Sequence, residues 1–500
     1  MSSLPLAGRL TALRHALSEF GVDGFFLPRS DEHLGEYVPA CAERLAWLTG
    51  FTGSAGLALV LPEAAAVFSD GRYQIQLRQQ VEQFVWSIEH MYETVPPLWA
   101  AEHAKGKAIG YDPRIVSVQD IEAFRKAGCQ MVALNRNPID GIWTDRPAPP
   151  SSPVLVQPLE LTGRENRAKI RDIADILRQN GQDAVLLPDP TSIAWLLNIR
   201  GRDLPFLPVA LCFAVLHVDE TVDLFIDPSR IDGSVSTHLG DAVRVRKPAE
   251  MAQVLQTLHG KTIRLDPARC PVWFTVTLKS ANATLANGTD PCLMPRASKT
   301  LAELEGMRRA HLLDGIALCR FLSWLDVHGV GKTEIAISDH LLALRREAES
   351  CIGPSFHTIA GTGPNAAIMH YAPTQEHCDT VQADTFLLID SGGQYTDATT
   401  DVTRTVWMGT GTPPEAWKTH YTCVLKGLIA LHSAVFPAGT HGYRLDLLAR
   451  LVLWQEGVDF DHGAGHGVGS CPVAHEWTLG FTRRPVLGSL REPMDPSSDH

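Results

Sequence analysis

The stretch DTFLLIDSGGQYTDATTDVTRTVWMG, Asp384 to Gly409, reads as a strand, a Gly-Gly turn and a second strand, with β-branched residues on both sides. Asp390 closes the apolar run Phe386 to Ile389, and Asp401 stands just ahead of Val-Thr-Arg-Thr-Val. A lone carboxylate buried at the end of an apolar strand is costly without a counter-charge. Two of them on paired strands would face each other about 5 Å apart and repel unless a proton or cation lay between them. A divalent metal answers that need, and two ions about 3.5–4 Å apart suit bridging carboxylates. Taken alone, the hairpin favours a plainer reading, turn-capping aspartates beside glycine.

A second stretch shifts the balance. DHGAGHGVGSCPVAHEWTLG, Asp461 to Gly480, sets His462, His466 and His475 among glycines. Gly463, Gly465, Gly467 and Gly469 alternate with other residues, which lets the backbone approach another group closely. His466, in the middle of that run, is a candidate imidazole ligand for a borderline or hard cation. His370, in NAAIMHYAP, lies in the same block of chain. No one of these signals is strong. Together they point to metal-assisted hydrolysis.

The bulk numbers bound the rest. A length of 500 residues fits about three domains. Hydrophobic content of 45% and charged content of 20% describe an ordinary globular protein. A net charge of −12 argues against nucleic acid or an anionic membrane as the main partner. The 10 cysteines form no CxxC pair, which fits reduced thiols in a cytosolic enzyme. MSSLPLAGRLTALRHALSEFGVDG, at the N-terminus, reads as an amphipathic helix and not a signal peptide. With no long apolar run, no membrane span is expected, and the expected location is the cytoplasm.

Working outward, the proline-rich stretch TDRPAPPSSPVLVQPLEL, Thr144 to Leu161, cannot be a helix interior and marks a linker. A second boundary lies at DPCLMPRASKT, Asp290 to Thr300, after which Leu318, Phe321, Leu322 and Leu325 share one helix face. The chain thus divides into 1–155, 156–298 and 299–500. The first two blocks read as distant copies. Each runs from a helix through an apolar strand ending at Leu-Pro, in GVDGFFLP and GQDAVLLP, to an Ala-Trp-Leu stretch read as a strand. In the second copy Ile170, Ile173, Ala174 and Leu177 align on the helix. The expected fold is a mixed α/β (α+β) domain used twice, with the chemistry in the third block.

At this point the chain resembles the Xaa-Pro aminopeptidases (aminopeptidase P) in their long, three-domain form. The motifs are DEHLGEYVPACAERLAWLTGFTGSAG in the first block and AWLLNIRGRDLPFLPV in the second. The third block adds SFHTIAGTGPNAAIMHYAP, LLIDSGGQYTDATTDVTRT, HGAGHGVGS and VAHE. The resemblance implies two creatinase-like N-terminal domains, a pita-bread catalytic domain, and a homodimer acting on peptides with proline second. It also implies two divalent ions, usually manganese and sometimes zinc. Carried over residue by residue, it makes Asp390 a ligand to one metal, Asp401 the bridge between both, and His466 the histidine ligand. His370 and His475 become the histidines that hold substrate and stabilise the tetrahedral intermediate, and His462 lines the pocket for the proline ring.

The same resemblance implies two further ligands, both glutamates, one in a Glu-Pro-Gly turn that also serves as general base. Here the only Glu-Pro is Glu492–Pro493, and no glycine follows it. Where the family continues His-Glu-Gly-Pro, this chain has His475, Glu476, Trp477 and Thr478. A one-base shift in the codons for Trp477 and Thr478 restores Gly-Pro. The expectation is therefore an incomplete, C-terminally truncated catalytic domain of doubtful activity, with no ligand role for Glu492. Two rivals remain: a catalytically dead pita-bread protein binding peptides or partners, and a prolidase-like dipeptidase. Paired carboxylates with histidines argue against the first, and the extra N-terminal domain against the second. A creatinase, which works without metal, has no need of the two aspartates.

Overall fold

The computed structural model describes residues 4–375, 377–471, 474–483, 490, 494 and 496–497. Chain contacts divide it into two units, one of 1–156, 166–205 and 209–292, the other of 157–165, 206–208 and 293–500.

The first unit contains the same α/β fold twice. In the first copy, the central strand Gly24–Pro28 pairs antiparallel with Leu57–Val60 and parallel with Ala108–Tyr111. Across the sheet the order is Ser87–His90, Ala65–Ser69, Leu57–Val60, Gly24–Pro28, Ala108–Tyr111 and Gln130–Ala133. In the second copy, Ala184–Leu187 pairs antiparallel with Phe213–His217 and parallel with Thr262–Leu265. Its six strands follow the same order with the same parallel and antiparallel steps. The duplication expected from the Leu-Pro strands is therefore present in the topology. Both central strands read as continuous apolar runs because both of their faces are covered.

One expectation fails in both copies. The Ala-Trp-Leu stretches are helices, Arg44–Thr49 and Pro190–Leu197, and not strands. Short apolar runs do not reveal their period, so capping decides. Pro190 sits at the helix start, and Asp189 accepts a hydrogen bond from the Thr191 N–H at 2.8 Å. Left-handed residues end both helices, Gly50 at φ 81° and Asn198 at φ 51°. The N-terminal stretch is the expected helix, Leu6–Leu17, burying Leu10, Leu13 and Leu17. Helix Asn166–Gln179 buries Ile170, Ile173, Ala174 and Leu177, as its spacing requires.

The second unit is built on helix Leu301–His328. Thr300 and Glu303 form a reciprocal capping box at its start. Helix Glu334–Arg345 follows, and then a sheet of Ile359–Thr362, Thr385–Ser391 and Val402–Met408. Leu387 and Ile389 point from the middle strand into a core with Leu318, Phe321, Leu325, Ile337 and Leu341. Burying each such side chain contributes about 1.5–3 kcal/mol. Strand alternation then places Phe386, Leu388 and Asp390 on the opposite face. Among the described residues, no helix is long and apolar enough to cross a membrane.

Candidate metal centre

On that opposite face Asp390 lies across from Thr403, in a register that runs unbroken from Thr385↔Met408 to Ser391↔Val402. Asp401 is two residues before Thr403 and so shares the face, as a diagonal neighbour of Asp390. This corrects two details of the sequence reading, which set the aspartates directly opposite each other across a Gly-Gly turn. The chain does not turn at Gly392–Gly393. It runs on into the short strand Gly393–Tyr395, which pairs with Cys351–Pro354, and reverses only where Tyr395 N–H bonds the Ala398 carbonyl at 2.8 Å. The glycines serve close packing instead. A Cβ at Gly392 would meet the Thr400 carbonyl oxygen at 2.0 Å and Ser355 Oγ at 2.1 Å.

His466 sits in the strand Gly465–Gly467, buried. Its Nδ1 donates to the Gly467 carbonyl at 2.9 Å, which places a proton there and turns Nε2 toward Asp401. That Nε2 lies 3.3 Å from Asp401 Oδ2. The partner strand Glu476–Phe481 slips register between His466 and Gly467. Such a bulge re-aims side chains, and here the His475 ring meets the His466 ring edge-on at 4.5 Å.

Asp401, His466 and His475 can each offer a ligand atom, all within 4.8 Å of one another. Asp390, His370 and His462 are not in this group, and among the described residues no glutamate joins it. His370 is half-buried in the turn after residues 363–367. His462 is half-buried against Phe460, with its Nδ1 on the Gly463 carbonyl at 2.7 Å. Glu492 lies outside the described residues. Burial alone would push the Asp401 carboxyl up, but His466, His475 and Arg345 outweigh it and hold it below the usual carboxylate range. A buried carboxylate beside two imidazoles is a donor set that suits a borderline divalent ion. The residues fit a metal.

Two supports of this site escaped sequence reasoning. Arg345 forks onto Asp314 at 2.7 and 3.0 Å and also donates to Ser391 Oγ at 3.1 Å, anchoring the strand directly behind Asp390. Tyr395 OH donates to the same Asp314 at 2.9 Å. Next to His475, Glu476 is fully buried between Arg296 at 3.0 Å and Lys299 at 2.6 Å. Its partners lie 180 and 177 residues away in the chain, and no local pattern announces such a pairing. Beyond Asp390 the same sheet face opens on an apolar cavity of about 990 Å³, walled by Phe386, Leu388, Trp417 and Tyr421.

Residues 305–494 match the profile of metallopeptidase family M24. Residues 9–138 and 145–303 each match a creatinase/prolidase N-terminal domain. A probable Xaa-Pro aminopeptidase P of Ajellomyces capsulatus is 37% identical over 97% of this chain and 82% of its own length. The chain belongs to the Xaa-Pro aminopeptidase P family. A relative of the same description from Paracoccidioides lutzii is 36% identical over 97% of this chain and 82% of its own. Among solved structures, the X-prolyl aminopeptidase of Caenorhabditis elegans is described as a cytosolic enzyme with a di-nuclear active site. It superposes with a TM-score of 0.93 at 31% identity, covering 98% of this chain and 84% of the other. The prolidase of Pyrococcus horikoshii OT3 shares the fold over 65% of this chain and 88% of its own, with a TM-score of 0.53 at 22% identity. The match to aminopeptidase P takes in the duplicated N-terminal domains as well as the catalytic one.

Proposed function

We propose that Asp390, Asp401 and His466 are the metal ligands among the described residues, and that the ions are manganese, with zinc as the other option. By family, the chain is a metal-dependent aminopeptidase that releases the N-terminal residue from peptides with proline in second position. The observation that carries the residue assignment is the buried Asp401–His466 contact of 3.3 Å on the sheet face that holds Asp390. Two divalent ions, when bound, would supply Lewis acidity and make a bound water a stronger acid.

The remaining work falls to the side chains. Asp390 and Asp401 supply the negative charge that holds cations in a buried setting. His466 presents Nε2 because its Nδ1 is committed to the Gly467 carbonyl. His475, edge-on to His466, and His370 are assigned to hold the substrate and steady the oxyanion as it forms. His462 is assigned to the pocket for the proline ring. A proline amide has no N–H, so recognition has to come from the shape of the ring.

The proposal takes the domains as 1–155, 156–298 and 299–500, and includes a homodimer in the cytosol. All 10 cysteines are free thiols, which supports a reducing compartment. The test is hydrolysis by the manganese-loaded protein of matched peptides with proline or alanine second. The proline peptide should be cleaved at least about 10²-fold faster in kcat/KM. Equal rates would return the enzyme to the general aminopeptidases.

A further inference from the structure

Glu334, in the first turn of helix Glu334–Arg345, is fully buried. Its carboxylate accepts hydrogen bonds from four places along one loop. The Thr362 N–H donates at 2.8 Å, Asn365 Nδ2 at 3.1 Å, Tyr371 OH at 2.7 Å and the Asp379 N–H at 2.9 Å. Asn365 Nδ2 also donates to Tyr371 OH at 3.0 Å, so the bonds form a connected set. The backbone of Glu334 adds a bond to the Asp379 carbonyl at 3.0 Å.

The cap of this helix is already supplied by Thr333, whose Oγ1 accepts from the Ala336 N–H at 3.2 Å. The four bonds to Glu334 therefore serve something other than helix capping. A buried carboxylate is costly unless donors surround it, and every donor here belongs to the segment 362–379. At one end of that segment Thr362 closes the strand in which Ile359 pairs with Asp390. In the middle, Tyr371 follows His370 directly. Burial, and then Glu334 itself, push the Tyr371 phenol far up, so the hydroxyl keeps the proton it donates.

We propose that Glu334 is a positioning residue for His370, its buried carboxylate tying the loop down at Thr362, Asn365, Tyr371 and Asp379 so that the imidazole meets the substrate in one orientation. The assignment rests on the reading that His370 holds the substrate of an Xaa-Pro aminopeptidase. The loop-tying half does not.

The test is a double-mutant cycle on the manganese-loaded full chain with Glu334→Gln, Tyr371→Phe and His370→Ala. Glutamine keeps the shape but turns an acceptor into a donor facing N–H groups. Glu334→Gln should lower kcat/KM about 10–100-fold alone, yet less than about 3-fold in the His370→Ala background, with metal content unchanged. Tyr371→Phe removes one donor and should show the same coupling at about 3–10-fold, which keeps the test open if Glu334→Gln folds poorly. Amide exchange over residues 363–371 should quicken in both variants, whatever the activity. Equal losses in both backgrounds, or unchanged exchange over 363–371, would overturn the proposal. A parent protein that spares Xaa-Pro bonds sinks the aminopeptidase reading and the His370 role with it, while the exchange data still decide whether Glu334 ties the loop.

Discussion

Replacing Asp401 by alanine should empty the metal centre and lower Xaa-Pro hydrolysis by about 10³-fold or more. Asp401 is the one carboxylate in the described residues that stands with both His466 and His475. It stays ionised despite burial because the two imidazoles and Arg345 outweigh the loss of solvent. Alanine removes that charge and the contact with His466 Nε2 together. Without bound cations, the attacking water loses the acidity that they would lend it. Elemental analysis and the rate on a proline-second peptide are the measurements. If Asp401 were only a turn-capping residue, metal content and rate would both survive the change.

The second large effect concerns stability. Glu476→Ala should destabilise the second unit by about 3–5 kcal/mol, because it leaves Arg296 and Lys299 buried with no carboxylate between them. For a unit of this size that corresponds to a fall in Tm of roughly 10 °C. The charge matters more than the shape, so Glu476→Gln should also destabilise, though by less. Since Glu476 pairs with Gly467 and adjoins His475, the alanine variant should lose activity at temperatures where it remains folded. Thermal unfolding followed by circular dichroism, together with rates measured well below Tm, separates the two losses. An unchanged Tm would mean that the buried triad contributes nothing to stability.

Much of the architecture was legible because the signals are local. The amphipathic spacing of Leu10, Leu13 and Leu17, and of Ile170, Ile173, Ala174 and Leu177, reports which face of each helix is covered. The paired Leu-Pro strands revealed the duplication. The Ala-Trp-Leu stretches were misread because apolar runs as short as Leu45–Leu48 and Ile193–Leu197 carry no period, and a left-handed cap settles what periodicity cannot. The Gly-Gly pair was misread as a turn for a different reason. What excludes a side chain at Gly392 is the Thr400 carbonyl and Ser355, which reach it only in the folded chain.

By itself, then, the sequence determined the α/β repeat and, through the motifs of the third block, the metallopeptidase family to which the chain belongs. Those choices rest on covalent chemistry and short-range pattern, which a chain carries before it folds. The tertiary structure alone decided the register that offsets Asp390 from Asp401, the 3.3 Å approach of His466 to Asp401, and the bulge that turns His475 onto His466. It alone also brought Arg296 and Lys299 to Glu476 and gathered the loop around Glu334. Each of these depends on groups far apart in the chain, whose pairing is set by packing and by the cost of burying an unpaired charge.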